Sequence, residues 1–168
     1  MALFIRKIEM QKWNQNKILS GEVPSADAIT GSLRTINNTL SLWEINDVAE
    51  LQDAILAIVS QSEKADSIDI LIIDPELVRK VELSYERTKG LTPYDDFVNR
   101  HLDLTKLDYI SLGKVADIII ESIRQKNHKR ITRAEIKALI IKAIETNKIR
   151  IESLNQKLKD DLKLVVNK

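Results

Sequence analysis

The chain lacks cysteine and has few glycine, proline and aromatic residues. None of its 168 residues is Cys, four are Gly, three are Pro and 4% are aromatic. Without Cys there is no disulfide framework, no thiolate nucleophile and no Cys-ligated zinc or iron–sulfur site. So few turn-forming residues argue against a sandwich or barrel of many short strands. Ile, Leu, Val and Ala must therefore build the core, a composition that predicts helix packing with a small sheet.

The sequence also lacks a long apolar run and a secretory signal. A membrane-spanning helix needs about 20 mainly apolar residues, and the apolar stretches of this chain are short and bounded by charged residues. At the N-terminus, Arg6 and Lys7 follow a brief apolar stretch, whereas a secretory signal places its basic residues first. We therefore predict a cytoplasmic protein without a membrane partner.

Motifs for nucleotide binding and for hydrolase chemistry are missing as well. The four Gly residues form neither G-x-x-x-x-G-K-[ST] nor G-x-G-x-x-G, and no Ser lies in a G-x-S-x-G motif. The two histidines, His101 and His128, do not have the spacing of a metal site. The sequence thus predicts no cofactor, no metal and no catalytic residue, and it indicates no small-molecule site.

Alternating and β-branched apolar residues predict strands in the first half of the chain. The segments with this pattern are 2–8, 28–35, 39–45 and 67–73. The second and third are predicted to form a hairpin across Asn37 and Asn38, because Asn tolerates the positive φ of tight turns. The residues that precede the hairpin, 14–27, are interpreted as loop.

Capping signals followed by apolar periodicity predict the helices. Capping-box spacing occurs at Asp47-Glu50 and at Thr132-Glu135. Asp74-Pro75 and Thr92-Pro93 each combine an N-cap residue with a proline at the first helical position. The predicted helices are 48–62, 111–125, 153–165, one that begins at Thr132, and shorter ones after Pro75 and Pro93.

Together these elements predict an α+β fold, with a small N-terminal sheet of three to four strands and a covering helix, followed by a predominantly helical C-terminal part. We divide the chain into an acidic α+β domain, residues 1–105, and a helical segment, residues 106–168, packed together as one unit. The helical segment comprises a basic helix–turn–helix at 111–147 and the C-terminal helix.

Charge is distributed unevenly along the chain. The net charge is +1, yet residues 124–150 hold nine Lys and Arg against two Glu, a local charge of +7. Residues that displace counterions from phosphates supply most sequence-independent affinity for nucleic acid, so this segment is a candidate nucleic-acid surface. The same side chains would also suit an acidic protein partner, or be solvated. The candidate binding residues are Arg124, Lys126, Lys129, Arg130, Arg133 and Lys137.

Two tryptophans and the last predicted helix are candidates for a protein interface. Trp13 and Trp43 either fill the core or, where exposed, anchor a partner, because Trp is enriched where interfaces hold their binding energy. The last helix has a narrow apolar stripe that either covers the core or pairs with another helix. That stripe consists of Leu154, Leu158, Leu162 and Val165.

The remaining polar residues suggest two catalytic hypotheses, and each competes with a simpler structural explanation. His128 with Arg124 would supply the acid–base group and the phosphate-stabilising charge of a ribonuclease, but a lone His in a basic turn is usually solvated. Asp66, Asp69 and Asp74 bracket the strand at 67–73 and could hold Mg²⁺. Asp74, however, already has a sufficient role as a helix cap.

The function predicted from these observations is a non-enzymatic interaction or regulatory protein, an accessory subunit or homo-oligomer in a microbial cytoplasmic complex. Nucleic-acid binding through residues 124–150 is the alternative, and a metal-dependent or His-dependent nuclease is the weaker one. A protein partner or self-association is accordingly expected first, and nucleic acid second.

Overall fold

The protein folds as one antiparallel sheet with helices on both faces, in a computed structural model that describes residues 2–164. The strands are β1 (Leu3–Ile8), β2 (Leu40–Ile45), β3 (Ile68–Ile73), β4 (Tyr85–Arg87), β5 (His101–Leu104) and β6 (His128–Ile131). They pair in the order β4-β5-β2-β1-β3-β6, and each neighbouring pair is antiparallel. β4 and β6 are therefore the edge strands of the sheet.

Eight α-helices join these strands within residues 2–164. They are α1 (Met10–Trp13), α2 (Gln15–Leu19), α3 (Ala26–Ser32), α4 (Leu51–Val59), α5 (Pro75–Lys80), α6 (Tyr109–Arg124), α7 (Arg133–Glu145) and α8 (Gln156–Leu162). Short 3-10 helices lie at Val48–Glu50, Asp95–Arg100 and Ile151–Ser153. None of the helices in this part of the chain has the length and apolar content needed to cross a membrane.

Alternation along the strands divides the core between the two faces of the sheet. In β1, Phe4 and Ile8 belong to one buried cluster and Ile5 belongs to the other. The first cluster includes residues of α1, α2, α3, α5 and α6, and we call this side the α6 face. The second includes residues of α4, α7 and α8, and we call this side the α4 face. The sheet is thus covered on both faces.

The mixture of helix and sheet agrees with the predicted class, but the sheet has six strands rather than three or four. The three strands that the sequence did not predict, β4, β5 and β6, have three or four residues each. All three side chains of β4 are exposed, and β6 reads His-Lys-Arg-Ile. Strands as short and polar as β4 and β6 show no hydrophobic periodicity in the sequence. Their pairing with β5 and β3 stabilises them instead.

The predicted hairpin is wrong. Residues 26–32 form helix α3, since the hydroxyl of Ser25 accepts a hydrogen bond from the backbone N–H of Ala28 and caps the helix. The segment interpreted as loop likewise contains helix α2. Asn37 and Asn38 do adopt positive φ, 53° and 58°, but they close an isolated bridge instead of a two-stranded hairpin.

Capping signals are confirmed at two helices, whereas the segment predicted as one helix, 48–62, forms the 3-10 helix Val48–Glu50 and then α4, Leu51–Val59. Thr132 and Glu135 form a complete capping box at α7, and the carboxylate of Asp74 caps α5. After Thr92-Pro93 the chain forms a 3-10 helix instead of an α-helix. The last helix is shorter than predicted, and Val165 lies outside the described residues.

The basic segment does not have the predicted helix–turn–helix geometry. Its connection is strand β6, which pairs with β3, so the order at 111–147 is helix, strand, helix. α6 and α7 consequently lie on opposite faces of the sheet. Two helices separated by a sheet cannot pack together as a DNA-binding helix–turn–helix requires.

Candidate functional site

The candidate site lies along β6, the edge strand at the centre of the basic segment. In the register with β3, Arg130 faces Asp69, Lys129 faces Ile70 and His128 faces Leu71. Because Ile70 is on the α4 face and Leu71 is on the α6 face, Lys129 points to the α4 face and His128 and Arg130 point to the α6 face. The strand therefore presents basic residues on both sides of the sheet.

The outer backbone of β6 is open within residues 2–164. The N–H of Ile72 donates to the carbonyl of Asn127 at 2.8 Å, which makes these two residues a hydrogen-bonded pair. Such pairs alternate along an antiparallel ladder, so Lys129 and Ile131 bond to β3. The N–H and C=O groups of His128 and Arg130 consequently point outward, and no described strand pairs with them.

On the α6 face, the strand borders a cleft of about 470 Å³. One nitrogen of Arg130, Nη1, contacts both carboxylate oxygens of Asp69, at 2.9 and 3.1 Å. His128 lies beside them, and its buried Nδ1 has no hydrogen-bond partner among the described residues. The opposite wall is formed by Met10, Gln11, Asn14 and Gln15.

On the α4 face, the strand borders a groove of about 270 Å³ between α4 and α7. Its floor is apolar and includes Ile55, Ile131 and Leu139. Two lysines, Lys129 and Lys142, and one acid, Glu135, also line it, and the carboxylate of Glu135 already accepts the N–H of Thr132. An apolar floor beside two lysines suits a side chain or short segment that combines apolar and acidic groups.

Half of the predicted basic residues already contact carboxylates or a backbone carbonyl of this chain. Arg133 contacts Asp66 at 2.9 Å and Asp161 at 2.5 Å, and Lys137 donates to the backbone carbonyl of Asp161 at 3.2 Å. The pKa of Asp161 is lowered, first by the N–H of Ala65 and then by Arg133. With Arg130 held by Asp69, these residues tie the basic segment to the rest of the fold.

Arg124, Lys126 and Lys129 are exposed and make no ion pair with the described part of the chain. Arg124 ends α6 and Lys126 adopts a left-handed φ of 59° in the turn that leads into β6. These three, with Lys142 on α7, are the basic side chains available to a partner near β6.

Four of the large apolar residues proposed for an interface are core residues. Trp13, Trp43, Leu154 and Leu158 are all at most 4% exposed within this chain. The indole N–H of Trp13 donates to the hydroxyl of Ser32 at 2.9 Å. Only Leu162 is partly exposed, and it too packs against the core of the α4 face. Their side chains are not presented to a partner in this conformation.

Each carboxylate considered for Mg²⁺ already has a partner in this chain. Asp66 binds Arg133, Asp69 binds Arg130, and Asp74 accepts the N–H of Glu76 as a helix cap. Within residues 2–164, no group of three or more His, Asp or Glu side chains could hold a metal ion. His128 and Asp69, although far apart in the sequence, both line the cleft of the α6 face.

The sequence patterns did not predict one polar cluster, which lies on the α4 face near β5. The hydroxyl of Thr88 donates to Asp103 at 2.8 Å and lies 2.7 Å from Nδ1 of His101, while Ser41 donates to the other oxygen of Asp103 at 3.1 Å. Burial lowers the pKa of His101. Because this network joins β2, β5 and the residue after β4, we interpret it as structural.

Comparison of the chain with models of protein families, with curated proteins and with solved structures finds no match. Because a fold alone does not specify a function, any functional inference must come from the geometry of the sites.

Proposed function

We propose that this chain is an interaction protein that binds an acidic, extended segment of a partner along the open edge of β6. The observation that supports the proposal is an unpaired strand edge with basic side chains on both faces. Proteins often use such an edge to bind an extended peptide, because the backbone bonds supply affinity and the alternate side chains supply specificity.

Each face of a strand added to β6 would meet one of the two cavities beside β6. Its successive side chains would point alternately to the cleft on the α6 face and to the groove on the α4 face. The groove offers an apolar floor at Ile55 and Leu139, and Lys129 and Lys142 also line it. A segment that alternates acidic and apolar residues is therefore the best complement.

Charge also favours an acidic partner over a second copy of this chain and over nucleic acid. Two β6 strands paired with each other would bring like charges together, which is unfavourable across neighbouring strands. Nucleic acid requires many free cations on one surface, whereas Arg130, Arg133 and Lys137 already contact acids or carbonyls of this chain. Nucleic-acid binding through Arg124, Lys126 and Lys129 stays the alternative.

The test is a hydrogen-exchange experiment by NMR with synthetic probes. A blocked seven-residue peptide of alternating Glu and Val should protect the backbone amides of His128 and Arg130, which face the open edge. The matched peptide of alternating Lys and Val should not. A single-stranded oligonucleotide serves as the third probe, and binding by it alone, with affinity that falls steeply with salt, would establish the alternative.

Charge-reversal variants locate the surface. Lys129→Glu combined with Lys142→Glu should weaken the Glu–Val peptide about tenfold, because two attractive charges become repulsive. Lys89→Glu combined with Lys106→Glu, at exposed positions that follow β4 and β5 on the opposite side of the sheet, is the control and should leave affinity unchanged. If the peptide protects no amide of β6, or if both pairs of variants behave alike, the proposal fails.

A further inference from the structure

The ladder between the central strands β1 and β2 is interrupted next to Arg6. Pairing of these strands covers Leu3 to Ile5 on β1 and ends at Trp43 on β2. β1 nevertheless continues to pair with β3 as far as Ile8, so a gap opens between β1 and β2. The gap exposes a short length of backbone that an uninterrupted sheet would pair.

Arg6 bridges this gap. Its Nη1 donates to the carbonyl of Ser41 on β2, and its Nη2 donates to the carbonyl of Ser32 at the end of α3, both at 2.8 Å. These two bonds hold the guanidinium in one orientation and leave other donors of the group available. The Nε–H is buried and has no hydrogen-bond partner among residues 2–164.

The charge of Arg6 is not balanced by an acid in the described part of the chain. Neutral carbonyls are its only hydrogen-bond acceptors there, and burial alone lowers its pKa to about 10. The group therefore stays protonated at neutral pH. A buried cation without a counter-charge is unfavourable unless another group compensates it.

A cavity of about 400 Å³ lies beside Arg6, which is one of its lining residues. Arg34, after α3, and Lys7 also line it, and hydroxyl and amide groups come from Ser62 and Gln61 after α4. The acid that lines it, Glu9, is paired with Lys12 at 2.5 Å. The lining also includes apolar side chains, and its charged residues make it positive overall.

We infer that this cavity is a seat for a small oxyanion of the phosphate class, held by the guanidinium of Arg6 and by Arg34. A tetrahedral oxyanion accepts several hydrogen bonds at once, and the remaining Nη–H groups of an arginine can donate to it. The bound anion would balance the charge of Arg6. The seat lies between β1 and β2, so it is separate from the β6 edge and does not depend on the function proposed above.

Inorganic phosphate is the probe that tests this site, with the arginine Nε–H signals in a ¹H–¹⁵N spectrum as the readout. At constant ionic strength set with chloride, phosphate should shift the Arg6 signal saturably. The signal of Arg79, an exposed arginine paired with Glu76, should stay unchanged. If the Arg6 signal does not move, or if Arg79 moves equally, the inference is wrong.

Variants and a second probe complete the experiment. By calorimetry, Arg6→Lys should lower phosphate affinity at least about tenfold, because it keeps the charge and removes the several donors of the guanidinium. Arg34 is exposed, so the Arg34→Gln variant should still fold. It should weaken phosphate binding several-fold, and Arg79→Gln should not. Acetate that saturates the Arg6 shift at lower concentration than phosphate would overturn the phosphate assignment. Unchanged phosphate affinity in Arg34→Gln would remove that residue from the site.

Discussion

At the scale of single residues, Gly90 and Gly113 differ sharply in the space that each leaves for a side chain. A Cβ on Gly90 would approach a ring carbon of Trp43 too closely for any real contact. That ring is stacked on Phe97 and meets the edge of His101, so it cannot retreat easily. Gly113 lies on the exposed side of α6, and a Cβ there would meet nothing within 4 Å.

Substitution of these glycines by alanine should therefore have opposite effects. Gly90→Ala should lower the free energy of unfolding by about 1–3 kcal/mol, because the added methyl group overpacks a rigid site. Gly113→Ala should raise it by about 0.5–1 kcal/mol, because alanine favours the helix more than glycine does. Denaturant unfolding of both variants measures the difference, and a Gly90→Ala variant as stable as the parent would contradict the packing described around Trp43.

Contacts of single residues also reduce the number of basic side chains that are free of acids of this chain. Lys and Arg in residues 124–150 form a dense cluster along the chain, yet Arg130 and Arg133 contact Asp69 and Asp66, which precede them by more than 60 residues. Charge counted along a sequence does not include acids that only folding brings near. The basic side chains near β6 without an ion pair to the described residues are consequently fewer than the composition implied.

At the scale of elements, α7 depends on its capping box. The hydroxyl of Thr132 accepts the N–H of Glu135, and the carboxylate of Glu135 accepts the N–H of Thr132 at 2.7 Å. Because Thr132 directly follows β6, this box also determines where the strand ends and how α7 leaves the sheet. The hydrogen bonds from Thr132 lower the pKa of Glu135.

Thr132→Ala should lower the free energy of unfolding by about 1 kcal/mol, the usual loss for an N-cap threonine. Thr30→Ala is a suitable control, because Thr30 is an exposed residue inside α3 whose hydroxyl bonds only the preceding turn. That control should change stability by no more than about 0.5 kcal/mol. Thermal unfolding compares the two, and an equal effect of both substitutions would show that the capping box is not specific.

The elements with their own local signals are those that the sequence predicted. Capped amphipathic segments such as α6 and α7, and buried strands such as β1 and β3, combine propensity with periodicity. β6 has neither, although it is the centre of the candidate site. The hairpin failed for a related reason, since the cap at Ser25 and the packing of Ala28 favour a helix over a weak strand pattern.

At the scale of the whole molecule, several groups link stability to pH in the same direction. Burial lowers the pKa of His101, so the folded state binds its proton less readily than the unfolded state. Hydrogen bonds lower the pKa of Asp161 and of Glu135, so their carboxylates are stabilised by folding. Each group therefore contributes stability at higher pH that is lost as pH falls.

We expect the free energy of unfolding to decrease in two stages on acidification. The first, below about pH 6.5, reflects protonation of His101, and the second, below about pH 4, reflects the carboxylates. His101→Gln should flatten the first stage and Asp161→Asn should reduce the second. Denaturant titrations across pH 3–8 measure both stages, and a first stage that persists in full in His101→Gln would rule out His101 as its source.

The sequence by itself determined the mixed helix and sheet composition, the capped helices, the buried strands and the uneven charge. These properties depend on neighbouring residues, whose propensities and periodicity are readable along the chain. The tertiary structure decided the three short strands, the position of α6 and α7 on opposite faces, and which cations remain available. It also placed Arg6 beside a gap in the sheet. Each of these depends on contacts between residues far apart in sequence, such as the pairing of β6 with β3. No local pattern encodes such contacts.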